Sequence, residues 1–292
     1  MIVALAAGCG TDQAAVDTSL SPAPPDGGQQ LATEPYHLAP GHEIYMCYQF
    51  RSPDELVAIT ELDSIEAIGV HHMALYQPFG RTEEEAPHEC ATLIKDTWQP
   101  IWASGNGGNK QLVTPAGTGF MIQPGSQYIL QVHLQNSGDE AIDVRAGVNL
   151  TYDFAVDQIT PGGIFAIGKQ SFTVPATTPD FTIPVDCTIN QAMNVFAEFP
   201  HMHKIGKALT TTKAGADGVP ADFYSIDPWS FGNQPMDPLD VTIAPTDQMA
   251  LTCHYTNPTG TPVPYGESSD NEMCFFVLFY YPYDNLDGCI DS

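Results

Sequence analysis

The stretch GVHHMALYQPF, residues 69–79, decides how this chain is read. Apolar and aromatic residues run between Gly69 and Pro78, which is the pattern of a β-strand. Neighbouring strand residues point to opposite faces of a sheet. A core or a surface position therefore explains one of His71 and His72, but not both. Two adjacent rings converge only where a strand ends, bends or bulges. With nine histidines in 292 residues, two on neighbouring positions ask for a chemical reason.

The same kind of run recurs along the chain. EIYMCYQF (43–50), ELVAITEL (55–62), QYILQVHLQN (127–136) and IDVRAGVNLTYDF (142–154) come in the first half. GIFAIGKQSFTV (163–174), FTIPVDCTI (181–189), NVFAEFPHMH (194–203), DVTIAP (240–245), MALTCHYTN (249–257) and EMCFFVLFYYPY (272–283) follow. Each is of strand length and bounded by Gly, Pro, Asn or Asp. No segment keeps a 3.6-residue apolar period long enough for a substantial helix. The class expected is all-β, built as two tandem antiparallel β-sandwiches of jelly-roll type. The expected units are residues 36–157 and 158–292, after a disordered N-terminal tether over 1–35.

Composition narrows the partners. The chain has 35 acidic and 9 basic residues, a net charge of −26. Such a surface repels nucleic acid and anionic membranes. The start, MIVALAAGCG, reads as the tail of a secretory signal, and LAAGC resembles a bacterial lipobox with Cys9 as the lipidated residue. Ala6 stands there in place of the usual Leu. The apolar run is too short to span a membrane, so any membrane contact is expected only through that lipid. Gly, Pro, Ser and Asp then dominate, as in a tether. The other cysteines are Cys47, Cys90, Cys187, Cys253, Cys274 and Cys289, with no CxxC among them. An even set at wide spacing in an exported chain reads as disulfides. The expected location is extracytoplasmic: secreted, periplasmic or lipid-anchored at the cell surface.

The histidines carry the chemistry. His201 and His203 are two apart, so on a strand they share a face and can hold one metal ion. His71 and His72 need an irregular strand to do so, and His133 is a third donor in the same half. Imidazole suits copper, zinc, iron and nickel. No HExxH helix points to a zinc hydrolase. A thioether at Met273 beside His201 and His203 favours copper, because sulfur is a soft ligand. ILQVHLQN and ALTCHYTN echo one another, which makes His254 the counterpart of His133 and a rival ligand in the second half.

In order along the chain, HHMALY, LQVHLQN, VFAEFPHMHKIGK and EMCFFVLFYYP resemble the ascorbate-dependent type 2 copper monooxygenases. That family includes the peptidylglycine α-hydroxylating and dopamine β-monooxygenases. The resemblance spans roughly residues 40–289. It implies two tandem sandwiches with two copper ions per chain. His71, His72 and His133 would hold the electron-transfer copper. His201, His203 and Met273 would hold the oxygen-binding copper, across a solvent-filled cleft between the halves. It implies hydroxylation of a C–H bond with O₂ and ascorbate or a similar donor. It also implies the bridges Cys47–Cys90, Cys187–Cys289 and Cys253–Cys274; spacing alone leaves three pairings for the last four cysteines.

The chain departs from the peptide-hydroxylating branch at its substrate anchors. Phe199 stands where that branch has an arginine, and Phe275 and Val277 where it has an asparagine and a tyrosine. An apolar or aromatic small molecule is therefore the expected substrate, an amine among the choices given the acidic surroundings. Two other readings compete. One is a copper-binding or electron-transfer surface protein without hydroxylase activity. The other is a structural sandwich module with incidental histidines, which the intact six-donor set argues against.

Overall fold

The computed structural model describes residues 20–80, 85–90, 97–105, 110–284 and 288–291. Cys9 and the proposed signal lie outside them. Strands make up almost all the regular structure, and among the described residues the one helical segment is a 3₁₀ turn at Val156–Gln158. No helix there is long and apolar enough to cross a membrane.

Four sheets hold most of the strands. The first has the order Gln29–Ala32, Ala146–Asp153, Val57–Glu66, Thr118–Ile122 and Thr160–Pro161, with Gln111–Val113 also on Val57–Glu66. The second runs His88–Glu89, Glu43–Arg51, Gln127–Gln135, Val70–Pro78 and Trp98–Gly105. The third runs Asp237–Ile243, Met193–His201, Cys274–Tyr281, Gly163–Lys169 and Gly288–Asp291. The fourth runs Thr178–Thr188, Gln248–Asn257, Gly206–Ala214 and Pro220–Ile226. Pairing within them is antiparallel except for two short strands, Thr160–Pro161 and Gly288–Asp291. Sheets packed face to face on a core of alternating inward residues make this an all-β sandwich fold.

The second and third sheets position the site. Val70–Pro78 is buried along its whole length. Met73 and Leu75 enter an apolar core shared with Val57, Leu62, Phe120 and Leu130. That core does not stop at the first two sheets: Ile164, Phe196, Ala197, Phe199 and Phe279 of the third sheet belong to it. A second core lies between the third and fourth sheets, around Phe165, Leu209, Leu251, Tyr255 and Phe276.

The N-terminal expectation needs correction. A tether to residue 35 is too long, because Gln29–Ala32 pairs antiparallel with Gly147–Leu150 and Leu31 is fully buried. Leu31 and Thr33 are buried, and the Gln30 side chain donates to Leu20 O, Pro22 O and Asn149 Oδ1, so a segment in Gly- and Pro-rich sequence is seated as an edge strand. The sheets change over between Pro161, which still pairs with Gly119, and Gly163, which pairs with Tyr280.

The three disulfides are Cys47–Cys90, Cys187–Cys289 and Cys253–Cys274. The echo between ILQVHLQN and ALTCHYTN also has a structural basis. Asn136 accepts from Gly138 N and donates to Glu140 O; Asn257 accepts from Thr259 N and donates to Thr261 O. Each asparagine closes the same turn after its strand. The echo therefore marks a turn, not a pair of equivalent metal ligands.

Two stability measurements check this account. Leu31→Ala is expected to cost about 2–5 kcal/mol, the usual range for a buried leucine. A change within about 0.5 kcal/mol of zero would mean the strand adds nothing to the core. Glu198 is a second probe. Burial beside Asp237 pushes its carboxyl up from 4.5 to about 8. The folded chain then holds a proton that the unfolded chain has released, so stability falls as pH rises from about 4.5 to about 8. Glu198→Gln is expected to flatten that fall in denaturation curves taken across the window.

Candidate metal centre

The Val70–Pro78 strand is irregular where the sequence requires it. Val132 pairs with Met73 and His133 with His72, but Leu134 pairs with Val70. His71 is the residue left without a partner: a β-bulge that puts two residues opposite one. In a regular strand His71 would follow Met73 and Leu75 into the core. The extra residue turns it to the side of His72 instead. Gly69 makes the approach possible, with φ +98° and the side chains of Ile142 and Val144 where a Cβ would stand.

Three imidazoles meet as a result. The Nδ1 of His72 lies 3.2 Å from Nδ1 of His71 and 3.3 Å from Nδ1 of His133. One donor atom from each falls within 4.8 Å of the others, and all three rings are buried. The tautomer of His133 is set from outside. Its Nε2–H donates to the Glu43 carboxylate at 2.9 Å, which leaves the Nδ1 lone pair facing inward. Tyr45 stacks on the same ring at 4.0 Å, and Phe231 stacks on His71 at 4.0 Å.

The second set forms at the end of Met193–His201. Nδ1–H of His201 donates to Gln234 Oε1 at 2.7 Å, and the Gln234 amide donates to Phe231 O. Nδ1–H of His203 points at Asn271 O, 3.3 Å away. Nε2 of both rings is buried without a hydrogen-bond partner. Such orphaned nitrogens are costly unless something binds them. Met273 is buried beside them and lines the same cavity as His201. Its segment is held on both sides. Tyr255 Oη donates to Met273 O, and Cys274 is bridged to Cys253.

Glu272 ties this set together. It is fully buried and accepts from His203 N, Ile205 N and Met273 N. Burial pushes its carboxyl up to about 7 against those donors. Glu43 goes the other way: burial would raise it, but His133 and Ser269 hold it well below the usual carboxylate range. Burial also lowers all five histidines, His71 to about 3 and His201 to about 4. Neutral imidazoles are the form that binds metal.

The donors fit a metal ion on their own chemistry. A proton on His72 Nδ1 must be shared between two neighbours, whereas a cation accepts all three lone pairs. Two nitrogens roughly 2.0 Å from one ion are about 3 Å apart, close to the separations here. A thioether beside His201 and His203 favours copper there, because sulfur is a soft ligand.

Two expectations change. The halves are not parted by a solvent-filled cleft at the site, since the His72 and His201 ring centroids are 5.6 Å apart. Apolar packing of Phe196, Phe199 and Phe279 into the first core brings the sets into contact. His254 does not join either set. It lies on the Gln248–Asn257 strand of the fourth sheet and faces Asp180 at 3.7 Å. Phe199, Phe275 and Val277 line one cavity together with His201 and Met273. The supporting residues Glu43, Gln234, Phe231 and Glu272 were not foreseen. A sequence signal existed only for Glu272, an acid set against the apolar run that starts at Met273.

Two abutting sets of neutral imidazole donors, one with a thioether beside it, make this β-sandwich a candidate metal-binding protein. Residues 160–292 match the family model described as copper type II ascorbate-dependent monooxygenase, C-terminal domain. The chain is 26% identical over 285 residues to DBH-like monooxygenase protein 1 of Homo sapiens, covering 84% of this chain and 45% of that protein. The Gallus gallus protein of the same name is 26% identical over 283 residues, with the same coverage. Putative DBH-like monooxygenase protein 2 of Homo sapiens is 30% identical over 101 residues, which are 34% of this chain and 20% of that one. The chain thus spans about half the length of the first two of these relatives. By these matches the chain is similar to the copper type II ascorbate-dependent monooxygenases, through the family model over residues 160–292 and through the relatives over 84% of its length.

Glu43→Gln is expected to weaken copper binding at the three-histidine set about 10–100-fold, the usual cost of losing a ligand's outer partner. Competition with a chelator measures it; unchanged affinity would remove Glu43 from the site.

Proposed function

We propose that the chain is a copper-dependent monooxygenase that hydroxylates a C–H bond of a small apolar or aromatic molecule, amines included. It uses O₂ and an ascorbate-like donor, and it works outside the cytoplasm. The reading takes His71, His72 and His133 as one copper set, and His201, His203 and Met273 as the other. It takes the chain as two sandwich units, the first including the Gln29–Ala32 strand and the second beginning near Gly163. Copper supplies one-electron redox chemistry and O₂ activation when bound.

The observation that carries the substrate class is the cavity at the second set. It measures about 140 Å³ and lies between the second and third sheets. His72, His201 and Met273 are among the residues that line it. Tyr76, Trp98 and Trp102 form one wall, and Phe199, Phe275 and Val277 the other. Gly168 lets the Phe275 ring lie flat on the neighbouring strand, where a Cβ would be 2.1 Å from it. Burying a flat apolar ring here is favourable by roughly 25 cal/mol per Å² removed from water. No Arg or Lys is among the residues lining these walls, so a glycine-extended peptide has no ionic anchor on them.

The chain's own part in the reaction is to hold and to exclude. Gln234 and the Asn271 carbonyl fix the rings of His201 and His203 with Nε2 free. The aromatic walls keep bulk water from the reacting carbon, which protects reactive species from side reactions. Contact between the two sets shortens the path for the second electron. One oxygen atom goes to the product, and the other leaves as water with two protons and two electrons.

The test is copper uptake followed by ascorbate-dependent O₂ consumption over a panel of amines, aromatics and peptides. Two coppers per chain and a hydroxylated product are expected. His203→Ala should lose one copper and turnover; His133→Ala should weaken the other copper and slow electron delivery with the fold intact. Stoichiometric zinc without copper uptake would sink the proposal. Copper uptake without any substrate-stimulated O₂ use would favour a copper-binding or electron-transfer protein. Turnover best with C-terminal glycine peptides would overturn the substrate class.

A further inference from the structure

The cavity between the second and third sheets is open because three side chains on its walls are short. Along the Val70–Pro78 strand, His72, Ala74 and Tyr76 share a face at every second residue, and all three line the cavity. Ala74 pairs with Ala103 on the next strand, which lines it too. The third sheet repeats the arrangement across the gap. His201 pairs with Phe275; in the next row Phe199 pairs with Val277, and Val277 with Ala166. These five residues also line the cavity. The alanines thus lie one row from His72 and His201, about 7 Å along the strands. Facing sheets normally fill the space between them to the density of a crystal. Here Ala74, Ala103 and Ala166 leave room where longer side chains would close it.

We propose that Ala74, Ala103 and Ala166 set the size limit of the substrate, admitting one six-membered ring and rejecting two fused ones. The proposal rests on the reading of this cavity as the substrate site. Volume gives the limit. An apolar cavity of about 150 Å³ takes up one benzene molecule, and this one measures about 140 Å³. A fused second ring adds four carbons, for which these walls leave no space. The walls are also braced against parting. Ala74 and Ala103 pack in the same apolar cluster as the Cys47–Cys90 bridge. Facing them, Phe199 is part of the apolar core, and the strand of Phe275 and Val277 is bridged from Cys274 to Cys253.

Two matched phenols probe the limit by calorimetry in the copper-free full chain: 4-methylphenol with one ring and 2-naphthol with two. 2-Naphthol has the larger apolar surface, so unselective binding would favour it. The native chain is expected to bind 4-methylphenol at least tenfold more tightly than 2-naphthol. Ala166→Leu and Ala103→Leu each put three more carbons into the space, and each is expected to weaken 4-methylphenol tenfold or more. Val277→Ala removes two carbons and is expected to raise the affinity for 2-naphthol several-fold. Ala103 and Ala166 are half-buried, so a longer side chain enters the cavity rather than a sealed core, and circular dichroism checks each fold. In copper-loaded protein the ratio of kcat/KM for one-ring and two-ring substrates should shift in the same order.

Three results would each overturn the proposal: no binding of 4-methylphenol by the native chain, 2-naphthol binding as tightly or more tightly, or 4-methylphenol binding unchanged in both leucine variants. Failure of the copper reading shows separately, as no copper uptake, and leaves the phenol titrations to decide the size limit.

Discussion

The Glu43 carboxylate is the interaction on which the site depends. It accepts Nε2–H of His133 and also Ser269 N and Ser269 Oγ. One charged group thus sets the tautomer in the first donor set and fastens the segment that leads to Met273 in the second. Tyr45, two residues on, adds a bond to Glu267 O in the same segment. A carboxylate at the rim of an apolar interface is worth keeping ionised only if its oxygens are satisfied, and here both are. Charge-assisted bonds are roughly twice as strong as neutral ones, which suits a joint between two sheets.

Around that joint the site is built by dehydration. Buried imidazoles stay neutral because protonation without water is expensive. Five of them within one apolar shell would repel as cations; as neutral bases they offer lone pairs. Glu272 serves the second set as Glu43 serves the first, but through backbone N–H groups. It collects the amides of His203, Ile205 and Met273, and so ties the HMH segment to the methionine. The sequence separates these residues by about seventy positions, and one side chain closes the distance.

Much of this was readable from residue types. Long β-branched and aromatic runs became strands, since their pattern admits little else. The HH doublet foretold an irregular strand by simple geometry, and the bulge at His71 is that irregularity. The disulfides followed from the family resemblance rather than from spacing. Other features left no mark in the sequence. Gly206–Ala214, with its run of three threonines, and Pro220–Ile226 are strands supported by neighbours rather than by their own hydrophobicity. The contact between His72 and His201 depends on how two sheets pack, which no local pattern encodes. Phe231 and Gln234 come from a turn rich in Gly, Asn and Pro, whose sequence says only that the chain bends. His254 misled because the asparagine three residues on, not the histidine, carried the echo.

The bulge at His71 has a consequence for engineering. A strand one residue shorter would pair in unbroken register with Gln127–Gln135, and the ladder would gain from it. The site is thus a fault that the sheet tolerates. Substitutions chosen to regularise the strand would yield a better sheet and a poorer histidine cluster, and a stability screen alone would select them. Any redesign of this scaffold must hold the insertion fixed and seek its gains elsewhere.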